Sequence, residues 1–498
     1  MKTIKFLSMA ALALVGAMTV GCSSDDNFIE QTQQPVNSNN VVTLTATVGF
    51  DEAASNRALA IDYTNHKLTK TFKAGDKIAV VYQNTSDQLV KVETTALTDA
   101  DITAEGKSAK FTVTMTNPKA SGTLKYIYPA AMAGATDVDY TKLNSQDGTL
   151  ASLASNLDLA TFEGTLTAAK ELPASASLTN KLAILSLTIK NSDGTIPLTG
   201  INKMILSDGT NSYSITGKDD DDHIYAAIQA TSGANISCFA TDGTNNYAKS
   251  LTGKTYAANN IYDLGLKMDA ANTVSLASVT TDQTIGNGTT LTGMLGSNVK
   301  ISIADGAIVL LKDVTINGTN NSSYRWAGLT PLGDATINLE GTNTVKGFYE
   351  DYPGIYVPSG KTLTIMGSGK LTASCNGWAA GIGGGYEINC GNITINSGNI
   401  TATGGMYGTG IGGGRKGSCG NITISGGTIT ATGGNNAAGI GGGYMNGTLG
   451  TCGTITITSG VTSVTATKGS SAPNSIGAGL DGQAITVSIE DPTKVTQN

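Results

Sequence analysis

Gly381-Ile382-Gly383-Gly384-Gly385 decides the fold, because it recurs as Gly410-Ile411-Gly412-Gly413-Gly414 and as Gly439-Ile440-Gly441-Gly442-Gly443, a step of 29 residues both times. Other segments repeat in phase with it. Cys390-Gly391-Asn392-Ile393-Thr394-Ile395 returns at residues 419–424 and, after four extra residues near 445–450, as Cys452-Gly453-Thr454-Ile455-Thr456-Ile457. Ile400-Thr401-Ala402-Thr403-Gly404-Gly405 returns at residues 429–434. Weaker copies lie upstream, where Ile337 and Leu339 match Leu363 and Ile365 at a step of 26, as Val345 matches Leu371. Each copy holds three short strands in which Ile, Leu or Val alternates with Thr and Asn, and Gly stands at the corners. One such unit cannot bury its apolar edge, whereas stacked units can. The expectation for residues 270–498 is a right-handed parallel β-helix with coils about 4.8 Å apart. The six-residue steps of left-handed helices do not fit.

A glycine-rich stretch also suggests a phosphate loop, but repetition at a fixed period with no helix-forming segment after it favours a solenoid corner. Calcium-binding glycine repeats need aspartate at fixed positions, and these copies have none. A solenoid turns sequence columns into surface rows. Tyr386, Arg415 and Tyr444 directly follow the three pentapeptides, and Trp378, Tyr407 and Asn436 stand three residues before them. Aromatic faces flanked by a guanidinium or an amide suit the C–H faces and hydroxyls of sugars. With Trp326, the only other tryptophan, the candidate ligand-binding set is Trp326, Trp378, Tyr386, Tyr407, Arg415 and Tyr444. The competing reading is that these rings shield the corners of the coil. Cys390, Cys419 and Cys452 form a further column, whose parallel Cβ vectors suit a ladder of buried thiols better than disulfides.

The first half reads differently. Period-two alternation bounded by Gly, Asn, Asp and Pro marks half-buried antiparallel strands at residues 42–48, 77–82, 110–115 and 123–128. A second set follows at residues 183–189, 203–206, 212–215, 236–240 and 261–266. Two β-sandwiches fit this spacing, at residues 41–165 and 166–269. Residues 150–175 carry Ala and Leu without a clear period and read as a loop or a short helix.

Phe72-Lys73-Ala74-Gly75-Asp76-Lys77-Ile78, Tyr126-Ile127-Tyr128-Pro129, Leu178-Thr179-Asn180-Lys181-Leu182, and Gly253-Lys254-Thr255-Tyr256 with Ile261-Tyr262-Asp263-Leu264 resemble the fimbrillin-like proteins, lipoprotein precursors of pili and surface adhesins. The resemblance covers about residues 41–268. It implies two transthyretin-like sandwiches and, in polymerising members, removal of an N-terminal strand after an arginine so that a strand of another subunit fills the groove. Arg57 is the only arginine before residue 325 and is therefore the candidate for proteolytic maturation. The alternative is an exposed arginine in a strand connection. The C-terminal half is similar to β-helical, GIGGG-bearing carbohydrate-binding repeats of bacterial surface proteins.

At the N-terminus, Lys2 and Lys5 precede an apolar run over residues 6–20 that is too short to span a bilayer and closes on Gly21-Cys22. Residues 1–21 read as a signal peptide. Thr19-Val20-Gly21-Cys22 resembles a lipobox with Cys22 as the lipidated residue, and Ser23-Ser24-Asp25-Asp26 is similar to an outer-face sorting tag. Residues 22–40 then form a flexible stalk. The chain carries 63 glycines, 14% charged residues and a net charge of −7, with arginine only at positions 57, 325 and 415. That composition suits strands and tight turns and lacks the basic footprint of a nucleic-acid binder. His66 and His223 are the only histidines and no cysteine or histidine cluster has metal-ligand spacing, so neither metal nor cofactor is expected. The run Asp219-Asp220-Asp221-Asp222 reads as a solvated hairpin tip.

Two function classes follow. The first is a non-catalytic surface adhesin or a fimbrial tip or accessory subunit. It is anchored to the outer membrane through Cys22, with fimbrial subunits and a glycan or host surface protein as partners. The second is a polysaccharide lyase or glycosidase on the β-helix, for which only Glu350, Asp351 and Glu387 supply carboxylates between residues 350 and 480.

Overall fold

The structure, a computed structural model, describes residues 41–50, 60–62, 67–69, 71–173, 176–220, 222–447 and 451–498. The signal segment, Cys22, the stalk, Arg57, His66 and Asp221 lie outside the described residues. The chain is built almost wholly of strands, in two sandwiches followed by a parallel β-helix.

In the first sandwich, alternation decides which way each strand faces. Val41–Phe50 buries Leu44, Ala46, Val48 and Phe50 and pairs antiparallel with Ser108–Thr116, which buries Ala109, Phe111, Val113 and Met115. A single eight-stranded sheet folds over on itself around this core, with Ser177–Asn180 joining its two layers. Ser177–Asn180 pairs antiparallel with Ala160–Thr165 and parallel with Val41–Phe50. It lies beyond residue 165, where the sequence pattern puts the boundary between the sandwiches. Conversely, Ser145–Gln146 pairs with Ser212–Ile215 in the second sandwich, so the two units exchange strands.

The continuous apolar run Ala79–Gln83 has a physical reason. Val80 and Tyr82 face the first core, while Ala79 and Val81, with Ile127, face the second. This layer is therefore covered on both sides, and a strand buried on both faces loses its polar alternation. In the second sandwich Leu182–Lys190 lies between Ile224–Gln229, antiparallel, and Ile261–Lys267, parallel, opposite a six-stranded sheet. The unpatterned stretch resolves into a short helix at Leu150–Ser152, one π-turn at Leu153–Leu157 and the strand Ala160–Thr165. Leu153 and Leu157 are buried in the second core.

The β-helix has three faces of parallel strands. Ala307–Asn317 is long enough to bend across two of them, pairing with Ala335–Glu340 on one and Thr342–Lys346 on the other. Inside, the repeats become columns. Leu363, Ile393, Ile422 and Ile455 line one face, Leu371, Ile400, Ile429 and Val464 the second, and Ile355, Ile382, Ile411, Ile440 and Ile476 the third. All are buried in one continuous core. The upstream register corrects the step of 26, since Ile337 pairs with Ile365 and Val345 with Ala373, a step of 28. A slip of two residues keeps every apolar side chain on the same face, so the alternation alone cannot separate the two registers.

The second sandwich is docked on the first face of the coil. Ile205 and Phe239 from the sandwich pack with Ile308, Leu310 and Met366 from the β-helix. Ser212 and Thr336 hydroxyls are bonded at 2.8 Å, Lys203 Nζ donates to Asn338 Oδ1 at 3.2 Å, and Asn144 Nδ2 donates to Asn396 Oδ1 at 2.8 Å. Phe239 is 1% exposed, so Phe239→Ala is expected to cost about 3–5 kcal/mol at this junction. Calorimetry is expected to show one unfolding transition for the wild type and two for the variant, one for the sandwiches and one for the coil.

Candidate functional site

The corner that follows the third face brings two sequence columns into one row. The Tyr386 N–H donates to the Asp351 carbonyl at 2.9 Å, Arg415 N–H to Trp378 at 2.8 Å, Tyr444 N–H to Tyr407 at 3.0 Å and Leu480 N–H to Asn436 at 2.8 Å. Each residue after a pentapeptide is thus tied to the residue three before the pentapeptide of the preceding coil. The next position has φ of 55° at Glu387, 57° at Lys416 and 62° at Asp481, and after Tyr444 the left-handed residue comes one later, at Asn446 with φ 49°. Left-handed backbone at the same place in three coils, and one residue later in the fourth, turns the chain sharply at each corner. Lys416 Nζ reaches back to Glu387 Oε1 at 2.9 Å across the turn. That pairing holds the Glu387 carboxyl below and the Lys416 ammonium above its ordinary pKa.

Arg415 is the centre of the row. Its guanidinium carbon lies 5.5 Å from the Trp378 ring centroid, 5.5 Å from Tyr386, 5.0 Å from Tyr407 and 5.8 Å from Tyr444. The rings also touch each other, with Trp378 and Tyr386 edge to face at 5.0 Å and Tyr407 and Tyr444 at 5.3 Å. Arg415 Nε is buried and has no hydrogen-bond partner among the described residues. A delocalised cation among four rings is held by their quadrupoles, each contact contributing on the order of 0.5–1 kcal/mol at a partly exposed site. All five residues are half-buried, so part of the cluster reaches the surface. Five of the six residues singled out in the sequence therefore meet at one place.

Trp326 does not join them. It packs on Tyr324 and Phe348, with centroids 5.5 and 5.7 Å away, against the main core, and its Nε1 is buried without a partner. Its coil has no pentapeptide copy, so no column fixes it in the row. What the columns miss lies on the coil just before the repeats. Arg325 Nη2 stands 3.6 Å from Asp351 Oδ2 and its guanidinium carbon 5.6 Å from the Tyr349 ring, while the Tyr349 hydroxyl donates to Glu350 Oε1 at 3.2 Å. Burial, followed by the Glu350 charge, raises the Asp351 pKa against the opposing pull of Arg325. The Trp378 N–H donates to the Glu350 carbonyl at 2.7 Å, so this acidic patch continues the aromatic row.

Beneath the corners, Cys390, Cys419 and Cys452 are free thiols in one column, with Cys419 and Cys452 bridged in parallel register. The neighbouring thiols and then burial push the Cys419 pKa up, and burial pushes Cys238 up to about 12. Thiolate is the reactive form. Ellman's reagent at pH 8 is therefore expected to leave Cys238 and Cys419 unmodified in the native chain, as well as Cys390, which is shielded by burial, and to titrate all three after denaturation. No group of three or more His, Cys, Asp or Glu side chains able to hold a metal occurs among the described residues. Asp219 instead accepts from the Leu150 N–H at 3.0 Å, and Lys218 pairs with Asp222.

Three stretches, residues 363–386, 393–415 and 422–444, match the family model for the beta helix repeat. These are the coils that carry the aromatic row. No curated protein matches the chain. Among solved structures, it is similar to a candidate cell adhesion protein from Bacteroides fragilis NCTC 9343, at 13% identity over 44% of this chain and 88% of that one, TM-score 0.25. It is similar to a fimbrial assembly protein from Parabacteroides distasonis ATCC 8503, at 11% identity over 39% of this chain and 83% of that one, TM-score 0.24. A candidate cell adhesion protein from Bacteroides uniformis ATCC 8492 matches at 17% identity over 40% of this chain and 92% of that one, TM-score 0.26. No helix among the described residues is long and apolar enough to cross a membrane.

Proposed function

We propose that the chain is a cell-surface adhesin that binds glycan through the aromatic row of its β-helix. The observation that carries this reading is the cluster of Trp378, Tyr386, Tyr407 and Tyr444 around Arg415. Rings offer C–H stacking surfaces, while the guanidinium supplies fixed donors to hydroxyl or carboxylate oxygens. Because the row repeats with the coil, its elements recur about every 4.8 Å, which suits an extended chain of sugar units. The proposal extends, from the N-terminal signal and the fimbrillin-like resemblance, either to attachment of the whole chain to the outer membrane through Cys22 or, after cleavage at Arg57 has removed Cys22, to a place at a fimbrial tip.

A glycan array probed with the full chain tests it. The wild type is expected to retain a defined set of glycans, and Trp378→Ala to lose at least tenfold in signal on that set. An empty array, or one indifferent to Trp378→Ala, overturns the proposal.

One observation favours a second reading, polysaccharide cleavage. Arg325 lies beside the Asp351 carboxylate, with Glu350 next to it in sequence and bonded to Tyr349, a basic and acidic neighbourhood of the kind such chemistry requires. Depolymerisation of a retained glycan that is abolished by Glu350→Gln or Asp351→Asn would establish it.

A further inference from the structure

Where the second sandwich meets the first face of the coil, the junction leaves a cleft of about 220 Å³. One wall is the coil, with Asn392, Thr394, Asn421 and Thr423. The other is the sandwich, with Asn211 and Gln229, and Tyr140 and Asn144 close one end. A second cavity of about 340 Å³ shares Thr141, Asn144 and Asn396 with the first, and the hydrogen bond from Asn144 to Asn396 stands between the two. No lining residue of either carries a charge.

The hydrogen bonds already made determine what remains on offer. Asn392 Oδ1 accepts from the Asn421 N–H and Asn421 Oδ1 from the Thr454 N–H, both at 2.9 Å, which commits the oxygens to the coil and leaves the Asn421 amide nitrogen as a donor. Gln229 Nε2 is spent on Asn211 Oδ1 at 3.0 Å and Asn144 Nδ2 on Asn396 Oδ1, leaving Gln229 Oε1 and Asn144 Oδ1 as acceptors. The Thr394 and Thr423 hydroxyls make no hydrogen bond among the described residues. Asn396 Nδ2 is buried with no partner among the described residues. A buried donor left unpaired costs about 1–3 kcal/mol unless something in the groove accepts from it.

We infer that this groove is a binding site for a neutral saccharide, separate from the aromatic row. The lining offers donors and acceptors in mixture, as a ring of hydroxyls requires, and it has no cation for a phosphate, sulfate or carboxylate. The Tyr140 ring, 38% exposed at the rim, gives one stacking face. The walls are preorganised, because the apolar cluster at Phe239 and the bonds at Ser212 and Asn144 fix sandwich and coil together.

Saturation-transfer NMR on the full chain, with cellobiose, lactose, maltose and chitobiose as probes, tests the site. At least one disaccharide is expected to receive saturation from the wild type and from Trp378→Ala. Thr423→Trp, which fills the groove without removing a hydrogen bond, abolishes the signal, and Gln229→Ala weakens it at least tenfold while thermal unfolding stays within a few degrees of wild type. Silence from all four sugars, or a signal that survives both groove variants, overturns the inference. A signal lost in Trp378→Ala alone assigns binding to the aromatic row and overturns it equally.

Discussion

Gly412→Ala is expected to destroy the cooperative fold of the β-helix, at a cost above about 4 kcal/mol. Gly412 has φ +129°, and a Cβ placed on it would stand 2.2 Å from the Gly441 carbonyl oxygen of the next coil. That oxygen also accepts from the Gly413 N–H at 2.9 Å, so relief of the clash breaks the ladder that stacks the coils. A Cβ on Gly383 would collide with the Gly412 carbonyl oxygen in the same way. Backbone strain of this kind costs about 1–3 kcal/mol before the clash is counted, against a total stability of about 5–15 kcal/mol. Gly360 is the control, with φ +73° and nothing within 4 Å of its added Cβ. Thermal unfolding followed by circular dichroism should show Gly360→Ala lowering Tm by a few degrees and Gly412→Ala removing the transition. Equal effects would mean that the pentapeptide glycines are not there for close approach.

Arg415→Ala is expected to weaken glycan binding more than any single ring substitution, by about a hundredfold. It removes the group that all four rings share, so the ligand loses its donors and the rings lose the cation that spaces them. Stability should fall by about 2–4 kcal/mol from the loss of the four ring contacts. Arg415→Lys keeps the charge but not the planar fork, and is expected to recover less than a tenth of the affinity. Calorimetric titration with a glycan retained on the array measures both. Full recovery by lysine would make charge alone, and not stacked geometry, the determinant.

The β-helix is legible in the sequence because a solenoid converts periodicity directly into contact. Ile382, Ile411 and Ile440 are 29 apart and end up stacked, and the same step carries Arg415 to the side of Tyr386 and Tyr444. What sequence spacing alone does not show is the interleaving, since Arg415 sits beside Trp378 through a backbone bond between successive coils. Trp326 shares a residue type with Trp378 but no column, and composition cannot tell a ring that packs on Phe348 from one that faces outward. The seam groove left no signal at all. Its walls come from residues near 140, 211–229 and 392–423, each unremarkable where it stands, and only docking brings them together. The strand exchange between sandwiches is hidden for a related reason, because Ser145–Gln146 and Ser177–Asn180 are too short to announce their partners.

The chain's two tryptophans allow the most direct test of the central claim. Trp326→Phe leaves Trp378, at the aromatic row, as the only tryptophan, which red-edge excitation separates from the tyrosines. Titrating that variant with each glycan the array retains is expected to give a saturable change in emission, with the midpoint found by calorimetry. Unchanged emission from Trp378 while calorimetry still reports binding would place the ligand elsewhere and contradict the account.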